Sequence, residues 1–150
     1  MKKLVLMVAA LLVLAAPAAN AQKINESSER AKLEKADAAI ADAKKGTKAS
    51  TWIAHAKAYA DAYALPTKDL GRGVPAQVLM MNVGQPEDAF YGEFAGQQAV
   101  VYSYEYVDVY VINGMIQGWN QKKAVRDNLA IDAIEMFEKA YAMDAKQESK

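Results

Sequence analysis

The chain has 150 residues, with 18 basic and 18 acidic side chains and no cysteine. This charge balance gives no electrostatic basis for binding nucleic acid, which requires a clustered basic face. The lack of cysteine excludes disulfides, thiol catalysis and thiolate metal sites. The length is sufficient for one domain with its own hydrophobic core.

Residues 1–21 have the pattern of an export signal peptide. Two lysines precede an apolar run at residues 4–16, and the Ala-Asn-Ala sequence at 19–21 is a small-x-small cleavage site. The apolar run is shorter than the roughly 20 residues that span a bilayer, although an uncleaved N-terminal anchor is the alternative. No cysteine follows the site, so we expect no lipoprotein anchor. The sequence therefore predicts a mature chain that is periplasmic or secreted and does not span the membrane.

Helical periodicity predicts three helices, at residues 24–45, 49–64 and 124–143. We expect a serine at 27 or 28 to cap the first helix, and Ser50 or Thr51 to cap the second. In the last helix, one face is predicted to be buried by Leu129, Ala133, Phe137, Ala140 and Tyr141.

The segment 66–123 has a different character and is predicted to be an inserted β module. A short helix is expected at residues 75–82. Residues 99–112 are rich in β-branched and aromatic side chains, and they form one strand or two. Asn113-Gly114 is a two-residue hairpin signal, which leads into a partner strand at 115–120. Together with the helices, this module predicts a single α+β domain over residues 22–150.

The second and third helices together resemble one tetratricopeptide repeat. That family has a Trp, a small residue and a Tyr in its first helix, and here Trp52, Ala56 and Tyr59 stand in that order. In the second helix of the repeat, Ala133, Phe137 and Ala140 match the family's Ala, aromatic and Ala. The resemblance implies that the two helices pack antiparallel as a hairpin that has been opened at its turn to hold the insert.

The insert resembles the small two-helix, three-stranded module of bacterial envelope proteins, such as the smallest lipoprotein of the outer-membrane β-barrel assembly machine. The resemblance is carried by a short helix after Gly73-Val74-Pro75, a Gly-x-Pro turn at 84–86, and a hairpin at Asn113-Gly114. It implies a module that contacts other proteins.

The sequence offers little catalytic chemistry. His55 is the only histidine, and its place near the apolar stripe favours a core side chain over a ligand. Metal sites for zinc usually combine histidine and cysteine, so no metal or other cofactor is predicted. No serine stands in a Gly-x-Ser-x-Gly turn. We therefore expect a protein that is not an enzyme.

Aromatic side chains are the best candidates for a contact with a partner. The first candidate is a groove on the second helix, and the second is an aromatic face on the strands. The groove is lined by Trp52, His55, Tyr59 and Tyr63, and the strand face by Tyr102, Tyr104, Tyr106 and Trp119. The strand face has a second interpretation, in which it packs against the helices.

These features predict an exported protein-interaction or scaffold protein of the bacterial cell envelope. Its partner is expected to be a protein, because tyrosine and tryptophan are enriched in protein interfaces. The predicted signal peptide places that partner in the envelope or outside the cell. Two alternatives remain open: a small-molecule or glycan-binding protein that uses the aromatic surface, and a structural homodimer.

Overall fold

A computed structural model describes residues 24–148, so the predicted signal peptide at 1–21 lies outside the described residues. The chain is α+β, as predicted. Its elements are, in order, α1 (Glu26–Ala41), α2 (Ala49–Ala64), α3 (Ala76–Val83), β1 (Asp88–Phe94), β2 (Gln97–Ser103), β3 (Val107–Ile112), β4 (Met115–Gln121) and α4 (Leu129–Glu148).

The helices α1, α2 and α4 pack side by side with α2 in the middle. Their core contains Leu33 of α1, Tyr59 and Ala62 of α2, and Leu129 and Ala133 of α4. At the other end of the pair, the ammonium group of Lys139 on α4 lies 3.7 Å from the ring centre of Trp52 on α2. Because Trp52 meets Lys139 while Ala62 shares a core with Leu129, α2 and α4 run antiparallel. They pack together although a complete module separates them in the chain.

The four strands form an antiparallel meander in the order β1-β2-β3-β4. The hairpin predicted at Asn113-Gly114 is confirmed, and both residues have the positive φ of a type I′ turn, at 52° and 76°. Residues 99–112 contain two strands, because the chain turns between Ser103 and Val107. The Tyr104 amide closes that turn by donating to the Val107 carbonyl at 2.9 Å.

Helix α3 covers one face of the sheet. Its Ala76, Leu79 and Val83 pack against Val109 and Ile116 in a second hydrophobic core. The strand alternation explains this face, since Val107, Val109 and Val111 of β3 are buried while the residues between them are half-exposed. The segment before α3 also pairs with the outer edge of β4, where the Ile116 amide donates to the Val74 carbonyl at 2.9 Å.

Strand β1 was not predicted, and the ends of α1 and α4 differ from the predicted ones. Helix α1 ends at Ala41, because the Asp42 carboxylate accepts the amides of Lys44 and Lys45 and turns the chain. Helix α4 begins at Leu129 and not at residue 124, because Asn128 adopts a left-handed conformation with φ of 59°.

The predicted caps were also wrong. Asn25 caps α1, where its side chain accepts the amide of Ser28 at 3.1 Å. Helix α2 begins at Ala49, ahead of both predicted caps, and the preceding Lys48 makes no side-chain cap. Among residues 24–148, no helix has the length and hydrophobicity to cross a membrane.

Candidate functional site

Four polar side chains meet where α1, α2 and the connection before α4 come together. The Asp37 carboxylate of α1 accepts a hydrogen bond from the Tyr59 hydroxyl at 2.6 Å and contacts Nε2 of His55 at 2.8 Å. Its second oxygen accepts a hydrogen bond from the Arg126 guanidinium at 2.9 Å. Arg126 also donates to the hydroxyl of Tyr59. We call Asp37, His55, Tyr59 and Arg126 the polar network.

Local structure explains why these four side chains meet. His55 and Tyr59 are four residues apart on α2 and therefore lie on the same face of the helix. Their rings are in contact, with centroids 4.4 Å apart and an angle of 32° between the ring planes. Arg126 is held in place because its neighbour Val125 is fully buried in the helical core.

The polar network shifts the protonation equilibria of its members. Burial acts to raise the pKa of Asp37, but the hydrogen bonds from Tyr59, His55 and Arg126 outweigh it, so the pKa lies below its usual value. Burial and the bond to Asp37 raise the pKa of Tyr59 to about 12. The network is therefore a charged aspartate and arginine bridged by a neutral tyrosine.

His55 is only 2 % exposed, and it uses one of its two ring nitrogens. Nε2 is held by Asp37, which directs Nδ1 away from that carboxylate. Nδ1 is buried and has no hydrogen-bond partner within the described chain. An aspartate that orients a histidine is also a feature of general-base sites, but here the free nitrogen is shielded from solvent. The contact between Asp37 and His55 therefore joins α1 to α2, and it leaves Nδ1 of His55 buried without a hydrogen bond.

A cleft beside His55 separates the exposed sides of α1 and α2. Its volume is about 400 Å³. Three lysines, two hydroxyl side chains and His55 supply its polar lining, and three alanines complete the wall. These residues are Lys32, Lys35, Ala36, Ala39, Lys45, Ser50, Thr51, Ala54 and His55. No acidic side chain lines this cleft.

The structure corrects the predicted groove on α2. Trp52, His55 and Tyr59 are all buried, and only Tyr63, at 48 % exposure, faces solvent. The reason is that α1 and α4 cover the aromatic face of α2 from two sides. Trp52 and Tyr59 thus hold the helices together and cannot form an open contact surface.

The predicted aromatic face on the strands is also not one surface, because its side chains differ in burial. Tyr104 and Tyr106 are buried, and the Tyr104 hydroxyl donates to the Gly84 carbonyl at 3.2 Å. The Tyr106 hydroxyl donates to Glu26 of α1, which joins the sheet to the helices. Tyr102 is half-buried against the α3 core, and only Trp119 is exposed, at 37 %.

A further surface was missed because two of its four residues were assigned to the buried face of the last helix. Phe137 and Tyr141 were expected in the core, but they are 40 % and 78 % exposed. Ile131 and Ile134 are 58 % and 59 % exposed on the same helix. We call these four residues the outer face of α4. The small residues Ala133 and Ala140 lie on the side that packs on α2. The sequence of the helix therefore has two apolar faces, and the second face is the pattern that could have indicated this surface.

Within residues 24–148, no group of three or more histidine and acidic side chains could hold a metal ion. Comparisons with protein-family models, curated proteins and solved structures found no match for this chain.

Proposed function

We propose that this protein is an exported binding or scaffold protein of the cell envelope, which holds a partner protein through the outer face of α4. The observation that carries the proposal is the exposure of four large apolar side chains on one helix. Exposed apolar surface in a contiguous patch is a feature of interaction sites.

The spacing of the patch suits a helical partner. Ile134, Phe137 and Tyr141 follow one another at intervals of three and four residues, which places them in one row along the helix. Helix α4 is an outer member of the α1–α2–α4 layer, so a further helix can pack on it as α4 packs on α2. An amphipathic helix that lays its apolar side on such a row is a common mode of recognition.

The charged side chains beside the apolar row indicate the charge expected of the partner. Glu135 and Glu138 are exposed beside the apolar row, and Glu138 lies four residues after Ile134 on the same side. The neighbouring Lys139 is turned toward the Trp52 ring. The outer face is therefore apolar with an acidic margin, and it fits an amphipathic helix with basic residues at its margins.

The same charges disfavour a symmetric dimer. An antiparallel pair of α4 helices centred between Met136 and Phe137 would set Glu135 of one copy beside Glu138 of the other. Like charges in such a contact repel each other. A different protein is thus a better occupant of this face than a second copy of the chain.

Site-specific photo-crosslinking in the native host tests this function. A photoreactive amino acid replaces Tyr141 on the outer face of α4, and in a control variant it replaces Tyr91, which is 67 % exposed on strand β1. We expect a crosslink only from position 141, to an amphipathic, basic segment of another protein. A product between two copies of the chain, an equal product from position 91, or no product would each overturn the proposal.

A further inference from the structure

We infer that the β module at residues 66–123 is hinged on the α1–α2–α4 layer and is held closed by a polar clasp, in which Glu26 of α1 binds Tyr106 and Lys123 of the module. The inference goes beyond the proposed function, because it concerns a movement within the chain and not the outer face of α4. It depends on the separation of the two hydrophobic cores, the position of the two chain crossings and the contacts of Glu26.

The β module and the helices have separate hydrophobic cores. The core of the module contains residues of α3, β3 and β4, such as Leu79 and Ile116. The core of the helices contains Leu33 and Leu129, and among residues 24–148 the two cores share no side chain. Each unit therefore keeps its own packing when their relative orientation changes. Units with separate cores move relative to each other unless a large hydrophobic interface joins them.

The chain crosses between the two units twice, after α2 and before α4. Helix α2 ends at Ala64, and Ala124, which directly follows the module, packs on the helical core. Because α2 and α4 are antiparallel, with Ala62 and Leu129 in one core, both crossings lie at the same end of the helix pair. A module that is attached through two such crossings can rotate as a body about the line that joins them, which is a hinge.

Glu26, the first residue of α1, contacts two side chains of the module. Its carboxylate accepts a hydrogen bond from the Tyr106 hydroxyl and forms an ion pair with the Lys123 ammonium at 2.9 Å. Lys123 is also paired with Glu105 at 2.6 Å, and it lies 4.4 Å from the centre of the Tyr106 ring. The hydrogen bond from Tyr106 and the contact with Lys123 keep the pKa of Glu26 below its usual value. The carboxylate is therefore charged near neutral pH, and the clasp is closed.

The clasp combines an exposed ion pair with a buried tyrosine. The side chains of Glu26 and Lys123 are 36 % and 41 % exposed, and ion pairs with this exposure contribute little stability. Tyr106, by contrast, is 3 % exposed. Opening of the clasp brings its ring and hydroxyl to the surface, where a tyrosine suits contact with another protein. The clasp thus controls whether Tyr106 is accessible.

The lack of cysteine in the chain allows spin labels to be attached at introduced cysteines. One pair, Glu34→Cys on α1 and Gln98→Cys on β2, reports the distance between the units, and both positions are exposed. A second pair, Glu34→Cys and Asp61→Cys on α2, reports a distance within the helices. Pulsed EPR measures both distributions in the purified protein. We expect Glu26→Ala and Lys123→Ala to broaden the distribution between the units about twofold or more, because the module is then free to rotate. The distribution within the helices should stay unchanged.

Glu29→Ala is the matched control, because Glu29 is also an acidic residue in the first turn of α1 but is paired with Lys32 of the same helix. It should leave both distributions as they are in the unmodified protein. The inference is overturned if the two clasp variants leave the distribution between the units unchanged, or if Glu29→Ala broadens it equally. It is also overturned if the distribution within the helices broadens to the same extent, since that result would indicate general unfolding and not a hinge.

Discussion

Asp37 and His55 are 18 residues apart in the chain, and they join α1 to α2 through a contact of 2.8 Å between Oδ1 and Nε2. The same carboxylate holds Tyr59 and Arg126, so one side chain of α1 fixes α2 and the connection that precedes α4. The network explains how α1, an alanine-rich helix with Leu33 as its buried residue, remains attached to the rest of the domain.

Replacing Asp37 should therefore destabilise the protein. Asp37→Ala leaves a buried imidazole, a hydroxyl and a guanidinium without their acceptor, and we expect a loss of about 1–3 kcal/mol. Chemical denaturation measures the change. Asp61→Ala, at an exposed position of α2, is the control and should change the stability by less than about 0.5 kcal/mol. Equal losses in the two variants would show that the network does not stabilise the fold.

The stability contributed by Asp37 should depend on pH. Because the pKa of Asp37 is lower in the folded protein than its usual value of 3.8, its contribution is present above that value and is lost as the pH falls through the folded pKa. Asp37→Asn cannot titrate. The difference in melting temperature between the unmodified protein and Asp37→Asn should thus be constant above about pH 5 and shrink below pH 4. A difference that stays constant down to pH 2 would contradict the assignment.

The pairing of α2 with α4 can be tested through Trp52 and Lys139. The ammonium group lies 3.7 Å from the ring centre, and such contacts contribute roughly 0.5–1 kcal/mol at exposed sites. A double-mutant cycle with Trp52→Leu and Lys139→Gln should give a coupling energy of that size. The same cycle between Trp52 and the exposed Lys57 should give no coupling energy. Additive effects of the Trp52 and Lys139 substitutions would argue against the antiparallel pairing.

Gly118 of β4 lies in close contact with the ring of Phe94 of β1. A Cβ atom added at position 118 would overlap the Phe94 ring. Gly118→Ala should therefore cost about 1–3 kcal/mol as overpacking, and the cost should fall when Phe94 is also replaced by alanine. Urea denaturation of the two single variants and the double variant measures this. A Gly118→Ala cost that is the same with and without Phe94 would show that the ring is not responsible.

The sequence was informative where local pattern determines structure. Helix α2 has the predicted bounds because its apolar spacing and Pro66 define it, and the Asn113-Gly114 turn follows from the conformational freedom of those two residues. Strand β1 was missed because Gly92 interrupts its side-chain pattern. Its turn uses Ala95, a residue that rarely adopts positive φ.

The polar network could not be predicted in the same way. Asp37 and Arg126 are 89 residues apart, and no local pattern connects them. The predicted contact residues show a related limit, since aromatic side chains are enriched both in cores and in interfaces. Burial of Trp52, Tyr59 and Tyr104 depends on which helices cover them, and that is a property of tertiary packing.

The most direct test of the proposed function is to separate binding from folding at the outer face of α4. Ile134→Ser removes a side chain that is 59 % exposed, so the free energy of unfolding should change by less than about 0.5 kcal/mol. The same substitution should abolish the crosslink from position 141. A stable Ile134→Ser protein that forms the crosslink in full yield would contradict the proposal that this face holds the partner.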